Sequence, residues 1–233
     1  MNELFIVLIR PHTGLGSIAR KIGGYEYTHI AVSLDRSFTD FISYSRRYHY
    51  FPFDAGFAHE YRDYYAFDRH SNVKIKAFRL LTDDRCYAEI MKYISNCEND
   101  SDEVFNLFSM ATMPLIHGFR IYKANNCMSF TAKIIELSRC VKMEKPYYKY
   151  SIQDMDKLLS GYKFFEGKLS RSRHERNDDY MKPFKMKTYI TDMIRLFGRL
   201  IYRMLFRHNS IENFSLMIYQ IYKILIYKKR IFE

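Results

Sequence analysis

The chain has 233 residues and a formal net charge of +11, with 48% apolar and 27% charged residues. That length suits one ordinary core with an appendage rather than two large domains, and the composition is that of a folded protein. With 9 Gly and 5 Pro, collagen-like and other fibrous classes are excluded. Residues 1–170 hold 23 Lys+Arg against 20 Asp+Glu, whereas residues 171–233 hold 14 against 6. The basic excess is therefore concentrated in the last quarter, as expected of an appendage with its own role.

Along the chain, Leu4 to Ile9 is an apolar run that reads as a buried strand, ended by Pro11. SIARKI, flanked by Gly14, Gly16, Gly23 and Gly24, predicts a short helix. Thr28 to Leu34 alternates as a strand, with Ile30, Val32 and Leu34 on one side and His29, Ala31 and Ser33 on the other. Phe38 to Arg47 reads as the next strand, residues 48–67 as an aromatic loop, and residues 73–80 as a further strand.

Thr82-Asp83-Asp84 caps a predicted helix reaching about Asn96, striped by Tyr87, Ile90, Met91 and Ile94. Residues 100–125 are less regular, Asn126 to Cys140 is a second helix, and Ser151 to Leu159 a short third. The expected organisation is a domain over 1–165, a polar linker over 166–185, and a basic amphipathic helical appendage over 186–233. Within the appendage, Asp192, Arg195, Arg199 and Arg203 form a charged stripe on a helix over 186–206, and residues 211–227 repeat the pattern less cleanly.

The cysteines Cys86, Cys97, Cys127 and Cys140 show neither CxxC nor Cys–His zinc spacing. MNELFIVLIRPH lacks a signal-peptide pattern, so free thiols and a cytoplasmic location are expected. Cys127 opens a predicted helix, where unpaired N–H groups favour a thiolate. His29 stands on the polar side of a rigid strand and could hold that thiolate and later protonate a leaving group. Taken by themselves, such a helix cysteine and strand histidine are more usually inert packing and a satisfied structural residue. His12, His29, His49, His59 and His70 have no compact ligand spacing, so no metal is expected, nor any organic cofactor.

Three segments carry a family resemblance: YTHIAVSLD at 27–35, FISYSRRYHYFPFDAGFAHE at 41–60 and NNCMSFTAKIIE at 125–136. Their order, histidine strand before nucleophile helix, resembles the circularly permuted papain-like amidohydrolases of the NlpC-like branch and, more distantly, the lecithin–retinol acyltransferase family. The resemblance spans about residues 3–160 and departs from the expected Cys-Ser-x-Phe, since the chain reads Cys127-Met128-Ser129-Phe130. It implies an α+β permuted papain-like fold, with a small antiparallel sheet packed against a nucleophile helix and C-terminal amphipathic helices beyond it.

The resemblance further implies a cysteine hydrolase or acyltransferase acting on an amide, ester or thioester, with Cys127 as nucleophile and His29 as base. Glu60, which ends GFAHE, is the first choice for orienting the imidazole; Asp40, Ser43, Ser45 and His59 are alternatives. Asn126 could assist an oxyanion, while Arg46, Tyr27 and Tyr44 are candidates for substrate binding. Arg46 belongs to a basic-aromatic cluster, but one short cluster does not make a nucleic-acid surface, and nucleic acid is not expected as a partner. The aromatics of 61–67 are expected along the cleft wall. A different class remains open: a catalytically silent module that engages a protein or membrane. The apolar faces of 186–233 could pack on each other, on the domain or in a dimer; together with the basic residues they would also suit an anionic membrane, placing the protein at its inner face.

Overall fold

The computed structural model describes residues 1–66, 70–171, 180–183 and 185–207. Its elements in chain order are β1 (Asn2–Arg10), α1 (Gly14–Gly23), β2 (His29–Ser33), β3 (Asp40–Tyr48), β4 (Phe51–Tyr61) and β5 (Asn72–Thr82). There follow α2 (Asp84–Asn99), β6 (Val104–Phe105), α3 (Leu107–Ile116), β7 (Ala124–Asn125), α4 (Cys127–Ser138), α5 (Ile152–Leu158), β8 (Lys163–Ser170) and α6 (Met186–Phe206). The architecture is α+β. Six strands form one antiparallel sheet in the order β4-β3-β2-β1-β5-β8, and β6 and β7 form a small parallel pair.

β1 is central, which explains its unbroken apolar run: both faces are covered. Leu4, Ile6 and Leu8 point into a core shared with Ile30, Val32, Tyr44, Ile90 and Phe130, built from α2 and α4 against the sheet. Phe5, Val7 and Ile9 point the other way, into a second core with Phe41, Tyr65, Val73 and Ile75. At about 25 cal/mol per Å² of apolar surface removed from water, these two layers dominate the favourable side of folding.

Local chemistry fixes the helix starts. Asp83 caps α2 by accepting from the Cys86 amide at 2.7 Å. Asn126 and Ser129 form a reciprocal capping box at α4: the Ser129 amide donates to Asn126 Oδ1 at 2.9 Å, and the Asn126 amide donates to Ser129 Oγ at 3.0 Å.

Two expectations differ from what is found. Residues 51–61, expected within a loop, are β4, because Phe51, Gly56 and Glu60 are buried when that segment pairs with β3. The sheet also crosses the expected boundary at 165–166. β8 reaches Ser170 and pairs with β5, its half-buried Phe165 and Leu169 packing on the second core. α6 itself is docked on the body of the protein, one of the packings open to its apolar face. Leu196, Leu200 and Met204 pack with Val104, Phe119, Ile121 and Ala124, and Arg203 donates to the carbonyls of Lys123 and Asp102, both at 2.6 Å. The expected helix over 211–227 lies outside the described residues. Among the described residues, no helix is long and apolar enough to cross a membrane.

Candidate active site

His29 is the first residue of β2 and pairs with Ile9 of β1. Two strands away, Glu60 lies near the end of β4, opposite Phe41 of β3. Sheet order brings the two side chains together: His29 Nε2 and Glu60 Oε2 are 2.8 Å apart, with the side chains 12% and 6% exposed. Ser43 of the intervening β3 places its Oγ 3.3 Å from the same nitrogen. Cys127 is near enough to act on the same imidazole electrostatically and as a side-chain partner.

The electrostatics follow from this chain of contacts. Burial disfavours a charged His29, but the Glu60 carboxylate opposes it, joined by Cys127, and the imidazole is pushed up to about 10. Burial likewise disfavours the Glu60 carboxylate. The charge and hydrogen bond of His29, followed by Ser45 and Tyr65, outweigh it and hold Glu60 below the usual range. Each partner thus favours the charged form of the other.

Cys127 is the first residue of α4 and is buried, 8% exposed. Asn126 beside it is buried, and its Nδ2 has no hydrogen-bond partner. The side-chain amide nitrogen therefore remains available to a transient acceptor, as do the main-chain amides of Cys127 and Met128, whereas that of Ser129 is taken by the cap.

Other candidates fall elsewhere. His59 points to the opposite face of β4 from Glu60 and meets Glu98 Oε1 of α2 at 2.9 Å, as strand alternation requires. Asp40 is exposed at the head of β3, whereas Nε2 of His29 is taken by Glu60 and Ser43. Tyr44 alternates away from Ser43 and Ser45 and is fully buried against Phe130, with ring centroids 5.2 Å apart, so it is core rather than cleft. Tyr27 is buried, and its hydroxyl donates to Glu166 Oε1 at 3.0 Å, on the β8 side of the sheet.

Arg46 donates to the His49 carbonyl at 2.7 Å and to Tyr180, which ties its guanidinium to the protein. It also lines a cavity of about 260 Å³ beside Glu60, with Arg47, Phe57 and Tyr64; Cys127 and His29 are not on that wall.

Of the aromatics expected along the cleft wall, Tyr65 lies beside the site; Tyr180 carried no such expectation. Tyr65 places its ring 5.6 Å from that of His29. Its buried hydroxyl faces Glu60 and lowers its pKa without reaching hydrogen-bond geometry. Tyr180, within the expected linker, is buried and stacks on Tyr64 at 4.0 Å, while its carbonyl accepts from the His49 amide at 2.7 Å. The only signal for it was a Tyr-Met pair interrupting a polar run. Among the described residues, no group of three His, Cys, Asp or Glu side chains is placed to hold a metal ion.

No family model, curated protein or solved structure matches this chain.

Proposed function

We propose that the chain is a cysteine-dependent acyl-transfer enzyme, a hydrolase or acyltransferase of permuted papain-like design. The observation that carries this reading is the run of contacts from buried Glu60 through His29 to Cys127 at the start of α4. A carboxylate on Nε2 holds the imidazole in place and stabilises its protonated form, the task of the third member in nucleophile–base–acid sites.

In the first half-reaction His29 holds the thiol proton while the Cys127 sulfur bonds to the carbonyl carbon of an amide, ester or thioester. The oxyanion is met by the main-chain amides of Cys127 and Met128 and by Asn126 Nδ2. As the intermediate collapses, the carbon–heteroatom bond breaks and His29 returns the proton to the departing amine, alcohol or thiol. Water or another acceptor then attacks the acyl-enzyme, with His29 taking its proton, and the thiol is restored.

The test is alkylation of the full-length protein by iodoacetamide at about pH 6, where an ordinary thiol is almost fully protonated. Mass spectrometry reads Cys127 separately from Cys86, Cys97 and Cys140. We expect Cys127 to label faster than half-buried Cys140, and to lose that advantage in His29→Ala. We also expect an activated p-nitrophenyl ester to leave its acyl mass on Cys127. If Cys127 labels no faster than Cys140 and the variant behaves identically, the catalytic reading fails and a binding module takes its place.

A further inference from the structure

α6 divides into two unlike halves. Leu196, Leu200, Arg203 and Met204 are buried against the body of the protein. The other half carries Met186, Ile190, Ile194, Ile201 and Leu205, all exposed, with Ile194 at 63%. Their spacing of four, four, seven and four residues places them in one stripe along a helix about 30 Å long. Lys187 and Arg195 stand on the same exposed half. The one acid of α6, Asp192, is half-buried and paired with Arg195 at 2.6 Å. Two members of the expected charged stripe are engaged on the body of the protein: Arg199 bonds to the Asp102 carbonyl at 3.0 Å, and Arg203 is buried on backbone oxygens.

We propose that this exposed stripe is a docking surface for an anionic lipid bilayer, with α6 lying in the interface plane. A helix that is apolar on its free face and basic at the flanks gains from both shallow insertion and headgroup attraction. Charge selects the lipid over the rival occupants. Residues 171–233 carry 14 basic and 6 acidic side chains, so a second copy would bring like charge onto like charge. Residues 208–233, with 4 basic and 2 acidic side chains, are themselves net positive. A phosphatidylglycerol surface is complementary. The stripe faces away from the packed side of α6, so the helix need not leave the body of the protein to bind.

The full-length protein is mixed with vesicles of phosphatidylcholine alone or of phosphatidylcholine with phosphatidylglycerol, and sedimentation is compared with that of an Ile194→Asp/Ile201→Asp variant. Both positions are exposed, so the variant keeps the fold, which circular dichroism verifies. The expected result is pelleting with the anionic vesicles only, weakened at least about tenfold in the variant. Equal pelleting of both proteins overturns the stripe as the binding surface and shifts binding to basic residues elsewhere. Absence of pelleting overturns the proposal outright. Light scattering then separates a dimer dissolved by the same variant, which gives the stripe to a second copy, from a monomer, which leaves it to the chain's own C-terminal residues.

Discussion

His29 on β2 and Glu60 on β4 meet at 2.8 Å across the intervening strand β3, although 31 residues separate them in the chain. Ser43 of that middle strand contacts the same imidazole nitrogen, so three consecutive strands of the sheet hold one ring. An imidazole fixed in this way loses little further freedom when it reacts, which is the advantage of mounting a base on a sheet.

Removing the charge while keeping the shape tests that relationship. Glu60→Gln is expected to bring the titration of His29, followed by its ring-proton NMR signals, well down from about 10. Alkylation of Cys127 and any acyl transfer should fall by about a hundredfold or more. An unchanged His29 titration would show that Glu60 does not set the charge of the ring.

The same pair makes stability depend on pH in a defined sense. His29 is raised from its ordinary 6.5, so its contribution is complete below 6.5 and is lost as pH rises through about 10. Glu60 is lowered, so its contribution is complete above 4.5 and is lost as pH falls through its depressed value. The pair therefore stabilises most between 4.5 and 6.5. Urea unfolding across pH should show an alkaline decline of up to about 1.4 kcal/mol per pH unit that is absent in His29→Gln.

Tyr65→Phe removes a hydroxyl that faces Glu60 without completing a hydrogen bond. Stability at neutral pH should change by no more than about 1 kcal/mol, because little is lost and a buried polar atom disappears. The acid limb of the stability profile should move to higher pH, since Tyr65 helps to keep Glu60 ionised. A wild-type acid limb would argue that the hydroxyl has no electrostatic part in the site.

Arg203→Ala withdraws donors from the backbone oxygens of Asp102, Tyr122 and Lys123. Their loss should destabilise the protein by about 2–4 kcal/mol. Amide exchange should rise first in α6 and in residues 121–125. Uniform exchange with no local opening would contradict the role of Arg203 as the anchor of α6.

Gly118 has φ +76°, and a Cβ there would stand 2.3 Å from the Tyr148 carbonyl oxygen. Gly118→Ala combines a left-handed backbone with a collision against main chain, and we expect a loss of roughly 2 kcal/mol or more. Thermal unfolding reads it directly.

Residues close in sequence carried much of what is described above. The alternation of Thr28 to Leu34 put His29 on the side of β2 opposite Ile30 and Val32. Cys127 was expected at the start of a helix and opens α4, and the helix expected over 186–206 has the bounds of α6. Such signals are legible because period two, period 3.6 and capping depend on neighbours within a few residues.

What depended on partners distant in sequence was settled only in three dimensions. Strand order decided that Glu60, rather than Asp40 or His59, meets His29, and sheet alternation sent Tyr44 into the core. β4 read as a loop because its buried residues, Phe51, Gly56 and Glu60, follow no simple alternation until β3 is laid beside them. Tyr180 found its place through stacking on Tyr64, from a segment with no local pattern of its own. For α6, periodicity revealed two faces, but packing against Val104, Ile121 and Ala124 chose which one stays exposed, because burial is decided by the surface opposite and not by the helix itself.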